Sequence, residues 1–337
     1  MHDHALTSLA SLAPHRPAPT PLPRPLCELQ LAPDAVHPDA DRIENDTYSW
    51  AHQAGLADDR LIRQRVPRLA ARMLPDVPRA RVTAFARWHV ILFTLDDRYD
   101  NHAADPAQIL DLYEQISAGI ENTAAPCDDP VVRAIVHEWR VTSEPMSPAW
   151  RQRFLRNLGY HGQALAWEAL RRDRQVPPTL SGYNDVRPWS NGMFLWDLLE
   201  TVHDVEIPAT FADTLAWKFL IHSSNDIIAW RNDIASAERE SASGSTENSL
   251  IIHAQTAGLA FEQAQAAVEE KITARTADFL LYEDVLCELA AALPDRPRAA
   301  IATMSCSIRL SVAGYTRWLL ETSRYQRPEG TGSRPVC

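Results

Sequence analysis

The apolar positions of this chain recur at intervals of three and four. Between residues 79 and 95, Val82, Phe85, Ala86, His89, Val90 and Phe93 fall on one stripe of a 3.6-residue period. The same period predicts an amphipathic helix over residues 39–54 and further helices over 130–144 and 150–172. Residues 183–202 continue it but break near Pro188 and Gly192, a pair that interrupts helical geometry. Residues 211–240 form a long segment that is apolar on one side. Residues 250–289 hold two helices, and 298–325 the last. No segment alternates with the period of two that a half-buried strand needs. The expectation is an all-α fold, a single helical bundle around a central apolar cavity.

Composition agrees with this. Glycine is scarce, at 11 of 337 residues, and hydrophobic residues make up 45%, enough for a substantial core. Prolines 14, 17, 19, 21, 23 and 25 mark residues 1–30 as a disordered leader, and residues 327–337 as a flexible tail follow from two glycines and little apolar content. The domain is then residues 31–326.

A net charge of −11 argues against a nucleic-acid surface, which needs clustered Lys and Arg. The cysteines are five and include no CxxC pair, which argues against a disulfide framework or structural zinc and for a cytoplasmic location. No run of ~18 apolar residues predicts a membrane span.

Two polar clusters interrupt the apolar helices. Asp96, Asp97 and Asp100 follow the apolar run Val90–Phe93 at a helix end. Asp96 and Asp100 share a face one turn apart, where like charges repel unless a cation sits between them. Carboxylate oxygens suit Mg²⁺ bound together with substrate phosphates. The plainer alternative is a solvated helix end, although three acids at the negative pole of a helix are poorly placed there. Asp58–Asp59 and Asp128–Asp129 lack the third acid and read as surface pairs. In the second cluster Asn232, Ser236 and Glu240 stand at i, i+4 and i+8, one face over about 12 Å of helix. An amide, a hydroxyl and a carboxylate make an oxygen site for a hard cation. The plainer alternative is a polar outer face.

Taken in order, these motifs resemble the bacterial class I terpene synthases over residues 34–327. DDxxD matches Asp96 to Asp100 and NDxxSxxxE matches Asn232 to Glu240. An Arg–Tyr pair in the last helix matches Arg324 and Tyr325, with Trp318 six residues before, and a phosphate-sensing Arg matches Arg187. The resemblance implies an enzyme that ionises a linear isoprenyl diphosphate and cyclises the cation. It implies three Mg²⁺, with Mn²⁺ as a substitute, on Asp96, Asp97, Asp100, Asn232, Ser236 and Glu240. It also implies diphosphate contacts from Arg187, Arg239, Arg324 and Tyr325. Arg239 stands where many members have Lys. Asn191 stands where the kinked helix often has Gly, so the carbonyl that triggers ionisation belongs to Asn191 or Gly192.

Aromatic faces stabilise passing cations, and Phe93 and Trp318 are the first candidates, ahead of Phe194 and Trp196, for which core packing is the stronger reading. His89 and His222 read as core or lining histidines rather than bases. Farnesyl diphosphate is the first expectation for the substrate, and a monomer or homodimer for the assembly. The alternatives are a diterpene synthase acting on geranylgeranyl diphosphate, a chain-elongating prenyltransferase, and a non-catalytic isoprenoid-binding protein. Prenyltransferases carry two aspartate-rich motifs, which the Asn232–Ser236–Glu240 row does not match.

Overall fold

A computed structural model of the chain describes residues 35–99, 104–123 and 127–325. The expected leader and tail, and Asp100, lie outside the described residues. Among these residues there are no strands. The α-helices are α1 (Ala40–Ala54), α2 (Asp59–Gln64), α3 (Val66–Met73), α4 (Arg79–Tyr99), α5 (Pro106–Glu121), α6 (Pro130–Ser143), α7 (Pro148–Asp173), α8 (Leu180–Ser190), α9 (Leu198–His203), α10 (Ala209–Ala212), α11 (Leu215–Ser243), α12 (Ser249–Ala257), α13 (Phe261–Ala291) and α14 (Asp295–Glu321).

Local chemistry sets many of the ends. Asp58, Asp105, Asp129, Ser147, Thr179, Thr214 and Asn248 each accept a backbone N–H in the first turn of the helix they open. Two members of the expected surface pairs thus have structural work. Asp58 caps α2, and Asp129 caps α6 while also accepting from Arg98 at 2.7 Å.

Four helices, α2, α3, α5 and the single turn α10, are absent from the sequence expectation. The first two are short, and α3 draws its stability from packing, with Leu69, Ala70 and Met73 all buried. The expected helix over 298–325 ends earlier, at Glu321. Beyond it Thr322 is extended, and its hydroxyl donates to the Gln64 carbonyl at 2.8 Å while the Ser323 hydroxyl donates to that of Arg63 at 2.8 Å. Arg324 and Tyr325 therefore sit on a strap tied to α2 rather than on the last helix.

The bundle packs α4 against α1, α3 and α6, and α11 against α13, α14 and α12. An aromatic block fills the space beside α4, where Trp150 and Phe154 stack at 5.2 Å and Phe154 meets Trp88 edge-on at 5.2 Å. The α14–α3 crossing is close enough that a Cβ on Gly314 would lie 2.5 Å from the Arg72 carbonyl oxygen. The predicted break in residues 183–202 is present. After α8 the chain passes Asn191 and Gly192, the latter at φ 84°, into a single 3-10 turn at Met193–Trp196.

Candidate active site

The helix break, the C-terminal two-thirds of α4 and the middle of α11 surround a cavity of about 710 Å³, part of it open to solvent. Its walls are largely apolar, among them Leu69, Met73, Phe85, Leu92, Phe93 and Ile228. Asp96, Arg187, Asn191 and Asn232 supply polar groups at the lining.

The long α4 carries Phe93 and Asp96 to this lining because both fall on its core-facing stripe. Asp97, one residue on, is off this lining, and both carboxylates meet the strap. There Arg324 Nη2 lies 2.5 Å from Asp96 Oδ2 and 2.8 Å from Asp97 Oδ1, and Nη1 lies 2.9 Å from Gln64 Oε1. Arg60 closes the other side of Asp97 at 3.1 Å. Burial works against the charge on Arg324, but Tyr325, Asp96 and Asp97 outweigh it and raise its pKa. The Arg324 guanidinium also lies 4.7 Å over the Phe93 ring.

The second row lies on α11. Asn232 donates from Nδ2 to the hydroxyls of Tyr315 at 2.9 Å and Tyr325 at 2.5 Å, while its Oδ1 accepts from Arg187 at 3.1 Å. Ser236 and Glu240 are joined by one amide: Asn248 Nδ2 lies 3.3 Å from Ser236 Oγ and 2.9 Å from Glu240 Oε2. Burial raises the Glu240 pKa, opposed by the Asn248 hydrogen bond. Arg239 pairs with Glu240 at 3.3 Å, and its guanidinium lies 5.3 Å over the Tyr325 ring. Both oxygen rows thus connect to the strap.

Arg187 is braced from behind. Asp233, buried to 1% exposure, accepts from Arg187 at 3.1 Å, from the Tyr183 hydroxyl at 2.5 Å and from the Ser249 N–H at 3.0 Å. Burial opposes the Arg187 charge, and Tyr183 and Asp233 restore it and raise the pKa. The Nε atoms of Arg187 and Arg324 are buried with no hydrogen-bond partner among the described residues.

Of the predicted aromatics, Phe93 and Trp196 line the cavity. Trp318 does not. It is fully buried behind Phe93, edge-on at 5.6 Å, and donates from Nε1 to the Arg65 carbonyl at 3.1 Å. Phe194 lies in the aromatic block, 5.7 Å from Phe154. Asn191 reaches the lining, and its amide donates to Asn225 Oδ1 at 3.1 Å. Asn225 in turn donates to the Pro188 carbonyl at 3.0 Å and so satisfies a backbone group that the helix break exposes.

Sequence reasoning missed Asn248, Tyr183, Tyr315 and Asn225. Only Asn248 had a local signal, an Asn ahead of the apolar run Leu250–Ile252 that marks a helix start. Among the described residues no three His, Cys, Asp or Glu side chains cluster as a metal site. The oxygens of Asn232, Ser236 and Glu240 nonetheless share one face of α11. Such a donor set, hard oxygens without His or Cys, fits Mg²⁺ or Mn²⁺ and not zinc.

Comparison with known proteins accords with this geometry. A family profile described as "Terpene synthase family 2, C-terminal metal binding" matches residues 87–278. (-)-delta-Cadinene synthase of Streptomyces clavuligerus is 27% identical over 317 residues, covering 90% of this chain and 95% of that protein. (+)-T-muurolol synthase ((2E,6E)-farnesyl diphosphate cyclizing) of Roseiflexus castenholzii is 26% identical over 226 residues, covering 65% and 69%. The crystal structure of germacradien-4-ol synthase from Streptomyces citricolor superposes with a TM-score of 0.77 at 22% identity, covering 87% of this chain and 98% of that one. Matched by the profile over more than half its length, the chain belongs to the terpene synthase family as a bacterial class I enzyme, a terpene cyclase and diphosphate-releasing lyase that uses divalent metal.

Proposed function

We propose that this enzyme uses Mg²⁺ to ionise farnesyl diphosphate and cyclises the resulting cation to a sesquiterpene. One observation carries the reading. Two oxygen-donor rows, Asp96–Asp97 and Asn232–Ser236–Glu240, meet the same arginine–tyrosine strap at the mouth of one apolar cavity. The farnesyl chain length draws support from the substrate that the muurolol synthase's name records.

In this reading Asp96, Asp97 and Asp100 hold one part of a three-ion Mg²⁺ set, and Asn232, Ser236 and Glu240 the other, with Mn²⁺ as a substitute. When bound, the ions neutralise the charge that develops on the departing diphosphate. Arg187, Arg239, Arg324 and Tyr325 bind the diphosphate oxygens. Phe93 turns an aromatic face to the allylic cation, and Trp318 fixes the Phe93 ring from behind. Asn191 and Gly192 both line the cavity, and in this reading the backbone carbonyl of one of them faces the carbon that ionises. The apolar walls exclude the water that would trap the cation early. No helix among the described residues is long and apolar enough to cross a membrane. The cysteine usage supports a cytoplasmic enzyme, working as a monomer or homodimer.

The test is incubation with geranyl, farnesyl and geranylgeranyl diphosphates, each with Mg²⁺, with Mn²⁺ and with a chelator, reading diphosphate release and products by mass spectrometry. A cyclic C15 product that requires the metal is expected. Chain lengthening on addition of isopentenyl diphosphate, or no turnover of any of the three, would refute the reading.

A further inference from the structure

The proposed reaction begins at the mouth, but a cyclic olefin forms only when a carbon next to the last cation loses a proton. Resting on that reading, we propose that His89 is the proton acceptor that ends the cation sequence in this enzyme.

His89 is on α4 and lines the cavity, with 2% of its surface exposed to solvent. Its Nδ1 lies 3.0 Å from the Phe85 carbonyl oxygen. A carbonyl only accepts, so Nδ1 carries the ring proton and Nε2 of the neutral imidazole keeps its lone pair. No hydrogen bond to Nε2 occurs among the described residues. The Nδ1 contact turns one edge of the ring back onto its own helix and leaves the Nε2 edge directed away from it. Phe85 packs edge-on at 4.5 Å and holds the ring in this orientation.

Most of the other polar groups on the lining are committed. The Asn225 oxygen takes the N–H groups of Asn191 and Trp196, and the Tyr315 hydroxyl accepts from Asn232. Asp96 is paired with Arg324 at the mouth, and Arg187 has no acceptor to offer. Amide and hydroxyl oxygens are in any case far weaker bases than imidazole. Among the cavity-lining residues below the mouth, then, the His89 nitrogen is the strongest open base. It lies seven residues before Asp96 on one helix, two turns or ~10 Å deeper. It therefore meets the hydrocarbon far from the carbon that carried the diphosphate.

Burial pushes the His89 pKa down to about 4, so the ring stays neutral before the reaction. A carbocation is so strong an acid that transfer to such a ring remains downhill. The C–H electron pair next to the cationic carbon becomes the new C=C bond, and the proton goes to Nε2. The resulting imidazolium, disfavoured by its apolar surroundings, gives that proton to diphosphate or water as the product leaves.

The experiment compares wild type, His89→Phe, His89→Gln and His89→Ala with farnesyl, geranyl and geranylgeranyl diphosphates and Mg²⁺. Product profiles and diphosphate release are both read, and circular dichroism checks the fold. In all three variants the share of the main wild-type product should fall by at least about tenfold, in favour of alcohols or isomeric olefins. Adding imidazole to His89→Ala should restore the wild-type product, and pyrrole, the same ring without a basic nitrogen, should not. An unchanged product profile in His89→Phe or His89→Gln overturns the assignment. So does restoration by pyrrole as well as imidazole, or by neither. If wild type itself releases no diphosphate from any of the three substrates, the reading of the site fails first. If it does and only the variant results go the other way, the failure is confined to His89.

Discussion

Asp233 allows the bracing of the active-site arginine to be weighed. The Asp233→Asn substitution preserves shape but removes the charge that faces Arg187 and replaces one oxygen with an N–H₂ donor. That donor must then face either Arg187, which now donates to Oδ1, or both the Tyr183 hydroxyl and the Ser249 N–H, which now donate to Oδ2. Arg187 and Asp233 are 15% and 1% exposed at the side chain, so water cannot replace the lost partner. Breaking a buried ion pair from one side costs about 3–5 kcal/mol. Asparagine retains one acceptor, which places the expected loss near 3 kcal/mol, or about 6–12 °C in melting temperature for a domain of this size. Urea unfolding of wild type, Asp233→Asn, Arg187→Gln and the double variant forms a thermodynamic cycle. A coupling of about 1.5–3 kcal/mol between the two sites is expected. A coupling below about 0.5 kcal/mol, or a single-variant loss under 1 kcal/mol, would show that the carboxylate does not brace the arginine.

Three further outcomes are expected. Gly314→Ala forces a methyl group against the Arg72 backbone at the α3–α14 crossing and should cost about 1–3 kcal/mol in urea unfolding; a neutral result would mean the helices part freely. Asn248→Ala releases Ser236 and Glu240 from their shared amide and should raise the Mg²⁺ concentration needed for half-maximal activity by about 10–100-fold, the scale seen for groups that orient metal ligands, with an unchanged metal titration arguing against that role. His89 has a folded-state pKa near 4, below its unfolded value of about 6.5, so its contribution is present above pH 6.5 and is lost as pH falls toward 4. This loss is on the order of 3 kcal/mol, and unfolding free energies from pH 7 to 4 should fall less steeply in His89→Gln than in wild type.

The sequence made some features legible and hid others for a physical reason. Asp96 following an apolar stripe, and Asn232, Ser236 and Glu240 at four-residue intervals, are readable because a helix converts spacing into a shared face. The same rule located α4, α6, α7 and α11. Residues 106–121 carry a start signal in Asp105–Pro106 and buried Ile109, Leu112 and Ile116, and a stricter use of cap rules finds α5. What spacing could not show is which elements meet. Arg324 grips Asp96 across 228 residues, and Trp318 stands behind Phe93 rather than beside the cavity, because tertiary packing sets those distances. Asp233 sits between two residues of the oxygen row, yet its partners Tyr183 and Ser249 come from other helices. The strap was hidden as well, since the period of α14 gives no sign that Thr322 leaves the helix to bind α2.

That strap bears on how the enzyme comes into being. Its hydroxyls hold carbonyls of α2, and Arg324 reaches Gln64, 260 residues earlier in the chain. Before the strap is in place, Arg60 is the one cation paired with Asp96 or Asp97 among the described residues. Loop closure over such a span comes late in folding. In the reading proposed above, a molecule becomes competent to grip the diphosphate only once this strap has closed on α2.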